Sequence, residues 1–370
     1  MDKNYNILIC PLEWGLGHAA RMVPLARILR DMNHNIIIGS GEEHISFFHN
    51  ELPGISCIEF RGFKPVYSGI FPQYLTLLLK TPILLYHIIY EHIQLKRIIR
   101  DHSIDIVISD NRFGLWNRNV TTVYVTHMPL IPFPKPFRFL EFIGIIMHRA
   151  IINKYSLCFI PDLPGEVNVS GRLSHGMKLP SNVRYIGILS RFVNNFSASP
   201  ASVKFEHNTV VLSGPEPQRN ILKQKLIRLL KNKKPDTVIL EGKPALKREI
   251  NKSDNIIYYN HLPASEMEDI IKSSKGIITR SGYTTIMELI SLNCSALLIP
   301  TPGQTEQEYL AEYLTEKGWF STVTQRKING ELIFPPGKVL CSGEIIEESR
   351  ILLIKALEEL LEYQHKKRQS

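Results

Sequence analysis

The sequence predicts an α/β protein made of two successive doubly wound, Rossmann-like domains, each a mostly parallel sheet covered by helices. Three observations predict it. Short runs rich in Ile and Val alternate with longer amphipathic stretches, the order that βαβ units require. Most of these runs are continuously apolar rather than alternating, so both faces of the strands must be covered. The alternation halts at 191–207, rich in Ser, Asn and Pro, and then restarts.

In the first half the strands fall at Tyr5–Cys10, Asn35–Gly39, Ile55–Phe60, Ile104–Ser109, Thr121–Val125 and Leu157–Ile160. Between the first two, Met22, Leu25, Leu29 and Met32 share one helical face. Pro24 fits only a first turn, so that helix is expected to begin near Arg21 or to kink. In the second half the strands are Thr209–Ser213, Thr237–Leu240, Ile256–Tyr259, Gly276–Thr279 and Ala296–Ile299, with a basic helix from about Asn220 to Lys231. A closing helix, Glu344–Gln364, carries Ile346, Leu353, Leu357 and Leu360 on one face. The expected organisation is a first domain over 1–190, a linker over 191–207, a second domain over 208–342, and a helix with a basic tail over 343–370.

The composition, 44% apolar and 21% charged over 370 residues, excludes a disordered chain, a collagen-like repeat and a small disulfide scaffold. Lys and Arg number 44 against 35 Asp and Glu, a net +9, which favours phosphate-bearing ligands, nucleic acid or an anionic membrane. The charge is spread out and no nucleic-acid motif appears, so nucleic acid is not expected as a partner. The five scattered cysteines, Cys10, Cys57, Cys158, Cys294 and Cys341, read as buried free thiols of a reducing compartment. The N-terminus has no signal-like apolar core. The most apolar stretch, Leu75–Tyr90, is interrupted by Lys80, Pro82 and His87 and falls short of the roughly 20 residues a spanning helix needs. The expectation is a cytoplasmic protein, with peripheral contact at an anionic membrane's inner face left open. No Asp-x-Asp pair and no histidine spacing suggests metal ligation, and no cofactor is implied.

Chemistry concentrates at strand ends. The first strand runs into Glu13-Trp14-Gly15-Leu16-Gly17-His18-Ala19-Ala20-Arg21, glycines that admit a ligand to the backbone, then a histidine able to act as a base. The full dinucleotide fingerprint is absent. A second turn, Ser213-Gly214-Pro215-Glu216, offers N–H groups and a hydroxyl to phosphate. In a third, Arg280-Ser281-Gly282 opens a helix at Tyr283-Thr284-Thr285, a ready diphosphate site, with Glu288 one turn further in to take a ribose diol. Pro300–Gln307 ends in Glu306-Gln307, a pair suited to sugar hydroxyls. Asp110, Arg112 and His127 also follow strands. For Glu288 the plain alternative is an ion-pair partner of Arg280.

The run Arg280-x-Gly-Tyr-Thr-Thr-x-x-Glu288, then Pro300-x-Pro302, Glu306-Gln307 and Gly318, resembles the GT-B glycosyltransferases, in particular the MurG-like group with a family 28-type C-terminal domain. The resemblance implies two Rossmann-like domains facing across a cleft, with the last helix packing back towards the first. It implies a UDP-sugar donor held by Glu288 at the ribose, Glu306 and Gln307 at the sugar, Ser213 and Gly214 at the diphosphate, and Arg191 facing the donor. Gly15, Gly17 and His18 would lie on the acceptor side, with Arg21 and His127 near them. The family's Gly-Gly-Ser-x-Gly loop is here Ser213-Gly214-Pro215-Glu216, a departure.

The implied reaction is metal-independent, inverting transfer from a UDP-sugar to a hydroxyl of a cell-envelope or lipid-linked acceptor, with His18 as base and Asp110 or Glu13 as substitutes. Gly15–Arg21 is also similar to a nucleotide-sugar hydrolase of pseudaminic acid synthesis. A non-catalytic nucleotide-sugar-binding subunit is a further alternative. The segments Phe63–Ile93 and Pro129–Ile152, apolar and basic, suit a lipid-linked acceptor at a bilayer or else simply cover the first sheet.

Overall fold

The computed structural model describes residues 4–63, 80–192, 207–214, 216–243, 249–328, 332, 334–335 and 342–369. Two seven-stranded sheets form. The first contains β1 (Asn6–Pro11), β2 (Asn35–Ser40), β3 (Ser56–Glu59), β4 (Ile106–Asp110), β5 (Thr121–Val125), β6 (Leu157–Ile160) and β7 (Val183–Tyr185). Their order is β3-β2-β1-β4-β5-β6-β7, every pair parallel. The second contains β8 (His207–Val211), β9 (Asp236–Leu240), β10 (Ile250–Ser253), β11 (Ile256–Tyr259), β12 (Ser274–Thr279), β13 (Leu297–Leu298) and β14 (Ser321–Thr322), ordered β10-β11-β9-β8-β12-β13-β14. Only β10 runs antiparallel. The central strands β1, β4, β5 and β8 are buried almost throughout, as two covered faces demand.

Helices α1 (Leu16–Asp31), α2 (Glu42–Glu51), α3 (Thr81–Asp101) and α4 (Glu141–Ile152) belong to the first sheet. The second carries α5 (Gln218–Leu230), α6 (Ala264–Lys272), α7 (Tyr283–Ser291) and α8 (Thr305–Glu316), and α9 (Ser342–Gln369) closes the chain. Helix α1 starts at Leu16, earlier than the expected Arg21, and continues through Pro24. The missing rung is offset by burial of Ala19, Ala20, Met22, Val23 and Leu25 on both sides. The Gly15 N-cap has φ 72°, the left-handed backbone that glycine adopts without strain.

The last helix packs back as expected. Arg184 of β7 holds Glu359 at 2.7 and 2.8 Å, Gln364 accepts from Thr121 Oγ1 at 2.5 Å, and Ser349 Oγ accepts from Ile188 N–H at 2.9 Å. At the crossing a Cβ on Gly187 would sit 2.2 Å from Ser349 Cα, so only glycine admits the helix there. The expected linker lies outside the described residues from 193 to 206; its first residues, Arg191 and Phe192, are buried rather than solvated. Cys10, Cys158 and Cys294 are buried free thiols, Cys57 is only half-buried, and Cys341 lies outside the described residues.

The two helices α3 and α4 share one face of the first sheet. Leu95 packs with Leu8, Cys10 and Val107, and Ile152 with Tyr124 and Cys158. These anchors sit towards the C-terminal ends of the helices; before Glu91 no side chain of α3 is buried, whereas α4 also packs through Glu141 and Ile145. Ile83, Tyr86 and Ile89 of α3, and Phe139, Phe142 and Ile146 at the start of α4, are exposed. Both stretches thus cover the first sheet and also present exposed apolar side chains; residues 64–79 of the first lie outside the described residues. Among the described residues no helix is long and apolar enough to cross a membrane.

Candidate active site

Strand order brings the first cluster together. β1 and β4 are neighbours, with Pro11 opposite Asp110, so the chain leaving β1 passes the carboxylate ending β4. His18 and Arg21, three apart on α1, share a face and both reach it. Arg21 Nε donates to Asp110 Oδ2 at 2.8 Å and its Nη2 donates to Oδ1. His18 Nδ1 lies 3.0 Å from Asp110 Oδ2 and 2.8 Å from Arg21 Nη2. Nδ1 thus faces both a carboxylate oxygen and an arginine N–H; we assign the proton to Nδ1, where it meets the charge of Asp110, and Arg21 Nη2 then spends its protons on Asp110 Oδ1 rather than on the ring. Nε2 then remains an acceptor, with no hydrogen-bond partner among the described residues. The side chain keeps 15% of its surface exposed.

The electrostatics match that assignment. Burial resists ionisation of Asp110, yet Arg21 and His18 outweigh it and bring the carboxyl down to about 2. Burial, then the Arg21 charge, pull His18 below its usual value against Asp110, leaving a neutral imidazole at neutral pH. His127, just past β5, accepts from Arg21 Nη1 through Nδ1 at 3.1 Å.

The second cluster comes from the ends of β8, β12 and β13. Gly214 has φ 89°, and a Cβ on Gly282 would lie 4.0 Å from both Ser213 Oγ and Thr285 Oγ1. These groups thus gather at the start of α7, whose Gly282 N-cap offers no side-chain hydrogen bond to the helix. Ser281 Oγ donates to the Gln307 carbonyl at 2.7 Å, tying that start to α8.

The two clusters meet. Thr284 Oγ1 donates to the Gly17 carbonyl at 3.0 Å, and Tyr283, buried, donates to the Pro161 carbonyl at 2.7 Å. Glu306 Oε1 stands 3.0 Å from His127 Nε2, and the His127 ring stacks on Tyr283 with centroids 4.1 Å apart. Burial opposes ionisation of Glu306, but His127, His18 and Arg21 bring its carboxyl below the usual range.

Several sequence-singled residues have other partners. Arg280 donates to the carbonyls of Ile299, Pro300 and Gln218, bracing the loops, and burial lowers its pKa to about 10. It is not the partner of Glu288: Arg191 is, its Nε 2.8 Å from Glu288 Oε1 and its Nη1 3.0 Å from Glu51 Oε1. Burial raises the Glu288 carboxyl despite Arg191. Gln307 Oε1 accepts from Thr301 N–H, and Glu13 Oε1 from Gly62 N–H, at 2.9 and 2.8 Å. Glu51 went unnoticed in the sequence; it ends an ordinary amphipathic helix and no motif marks it. Among the described residues no three His, Cys, Asp or Glu side chains gather to hold a metal ion.

Two facing Rossmann-like units with the last helix returned to the first form the GT-B fold of the glycosyltransferases, and this protein has that fold. The glycosyltransferase SnogD from Streptomyces nogalater superposes with a TM-score of 0.64 at 13% identity, covering 98% of this chain and 100% of that one. Residues 223–334 match the glycosyltransferase family 28 C-terminal domain, which makes the second unit a domain of that type and the protein a glycosyltransferase. The UDP-N-acetylglucosamine--N-acetylmuramyl-(pentapeptide) pyrophosphoryl-undecaprenol N-acetylglucosamine transferase of Exiguobacterium sibiricum is 37% identical over 67 residues, a match spanning 18% of either chain. An uncharacterized glycosyltransferase of Methanosarcina acetivorans is 23% identical over 365 residues, 93% of this chain and 90% of its own.

Proposed function

We propose that the protein transfers a sugar from a UDP-sugar, with inversion and without a metal ion, to a hydroxyl of a lipid-linked or cell-envelope acceptor. The unit over 1–190 would take the acceptor and the unit over 208–342 the donor. The observation that carries the reading is the His18–Asp110 pair, open at Nε2, set across the cleft from the uncapped start of α7.

In this reading the acceptor hydroxyl gives its proton to His18 Nε2 as its oxygen bonds to the anomeric carbon. The bond from that carbon to the diphosphate oxygen breaks with its electron pair, and UDP departs. Asp110 stabilises the imidazolium that forms, while Arg21 holds Asp110 ionised. The N–H groups opening α7, with Ser213 and Thr285, would take the charge growing on the diphosphate. Glu288 would bind the ribose and Glu306, through Oε2, a donor-sugar hydroxyl.

The exposed apolar halves of α3 and α4 support an acceptor presented at a bilayer, since Arg138 and Arg149 stand exposed among them. A peripheral seat on an anionic inner membrane face follows. The test is UDP release from UDP-sugars by the wild type and by His18→Ala. Turnover should fall at least about 100-fold in the variant while UDP affinity stays within about twofold; unchanged turnover would remove His18 as the base.

A further inference from the structure

We propose that His127 is a positioning residue that ties Glu306 and Tyr283 of the second unit to the arginine that sets the His18 base; this rests on the function proposed above. Among the described residues Arg21 Nη1 is the one hydrogen-bond partner of His127 Nδ1, with no carboxylate competing there as Asp110 does at His18. Arginine has five donors and no acceptor, so Arg21 Nη1 must donate to His127 Nδ1. That nitrogen therefore carries no proton, and the neutral ring bears its proton on Nε2, which donates to Glu306 Oε1 across the cleft. Arg21 Nε and Nη2 reach Asp110, Nη2 also standing 2.8 Å from His18 Nδ1, and with the proton assigned to Nδ1 that nitrogen donates to Asp110 Oδ2. One polarised chain thus runs from a carboxylate on α8 to the base on α1, through a ring that is 4% exposed and stacked on Tyr283 at the start of α7.

The Arg21 bond lies within the first unit, whereas the Glu306 bond and the Tyr283 stack come from the second, so His127 is fully held only when the units are together. Its bond to Glu306 occupies one oxygen and leaves Oε2 directed by that bond, with the side chain 20% exposed. Separation of the units would remove the ring's acceptor and its stacking partner at once, loosening Arg21 Nη1. His127 accordingly serves both substrates: it orients Glu306 towards the donor sugar and steadies the arginine that orients the acceptor base.

Two measurements on the full chain test this. Imidazole-15N-labelled protein at neutral pH should show His127 neutral with its proton on Nε2, and Glu306→Ala should shift that resonance. A doubly protonated His127, or one protonated on Nδ1, would overturn the chain. The second compares UDP with UDP-N-acetylglucosamine, UDP-glucose and UDP-galactose by calorimetry in wild type, His127→Phe and His127→Gln. Phe keeps the stack and loses both hydrogen bonds; Gln keeps a donor towards Glu306. We expect UDP affinity within about twofold in both, with the added affinity for the best-bound UDP-sugar lost in the Phe variant and largely restored in the Gln variant. Equal losses for UDP and UDP-sugar would reduce His127 to a structural role, and no loss in the Phe variant would refute the proposal. Failure of the wild type to bind any nucleotide would sink the proposed function separately, with the resonance measurement still deciding the His127 geometry.

Discussion

Three ionisable side chains share a space at His18 that water scarcely reaches, and the arginine decides their states. Arg21 keeps Asp110 charged, and its own charge, after burial, discourages a second cation on His18. A base must be neutral to accept a proton, so the acid limb of the kcat/KM profile should have its midpoint below 6.5, the ordinary histidine value. A limb at or above 6.5 would contradict the assignment. The stability signs run the same way. A lowered His18 costs stability as pH falls below 6.5, because the unfolded chain takes up a proton that the folded one refuses. The stabilisation from Asp110 is complete above about 4 and is lost as pH falls towards about 2. Arg191 gives a second test at this scale. Removing it in Arg191→Ala leaves Glu51 and Glu288 buried without their cation. Urea unfolding should show a loss of about 3–5 kcal/mol; a loss under about 1 kcal/mol would mean the bridge is dispensable.

At the scale of elements, legibility followed locality. The Gly-turn-helix units at His18 and Tyr283 were readable because strand, turn and helix lie within a dozen residues and each has a compositional mark. The partners of Arg191 and Arg280 were not, since Glu51 and Gln218 come close only after the sheets assemble. Strands β7, β10 and β14 also escaped notice. Val183–Tyr185, Ile250–Ser253 and Ser321–Thr322 are short and partly polar, and exist because a neighbouring strand supplies the ladder. Helix α3 was legible as apolar, whereas its exposed half was not, because periodicity cannot say which apolar face finds a partner. Its exposure leads to a vesicle test. Tyr86→Glu with Ile89→Glu should cut binding to phosphatidylglycerol-containing vesicles about tenfold and leave thermal stability nearly unchanged. Equal binding by variant and wild type would remove α3 from any bilayer contact.

For the whole molecule, the facing sheets matter because the proposed reaction draws its groups from both units. The proposed base and its orienting residues belong to the first sheet, the helix start proposed to bind the diphosphate and Glu306 to the second, and α9 straps the second back to β5 and β7. The two-unit plan was visible in the restart of alternation beyond 207; the contacts between units, His127 with Glu306 and Thr284 with Gly17, were not, because nothing in a linear pattern records a cleft. The central claim is that this cleft holds a UDP-sugar without a metal ion. The most direct measurement is a calorimetric titration of the full chain with UDP in the presence of a metal chelator, run beside GDP, TDP and CMP. Micromolar binding selective for UDP is the expected result. Binding that needs added metal, prefers another nucleotide, or is absent for all four would contradict it.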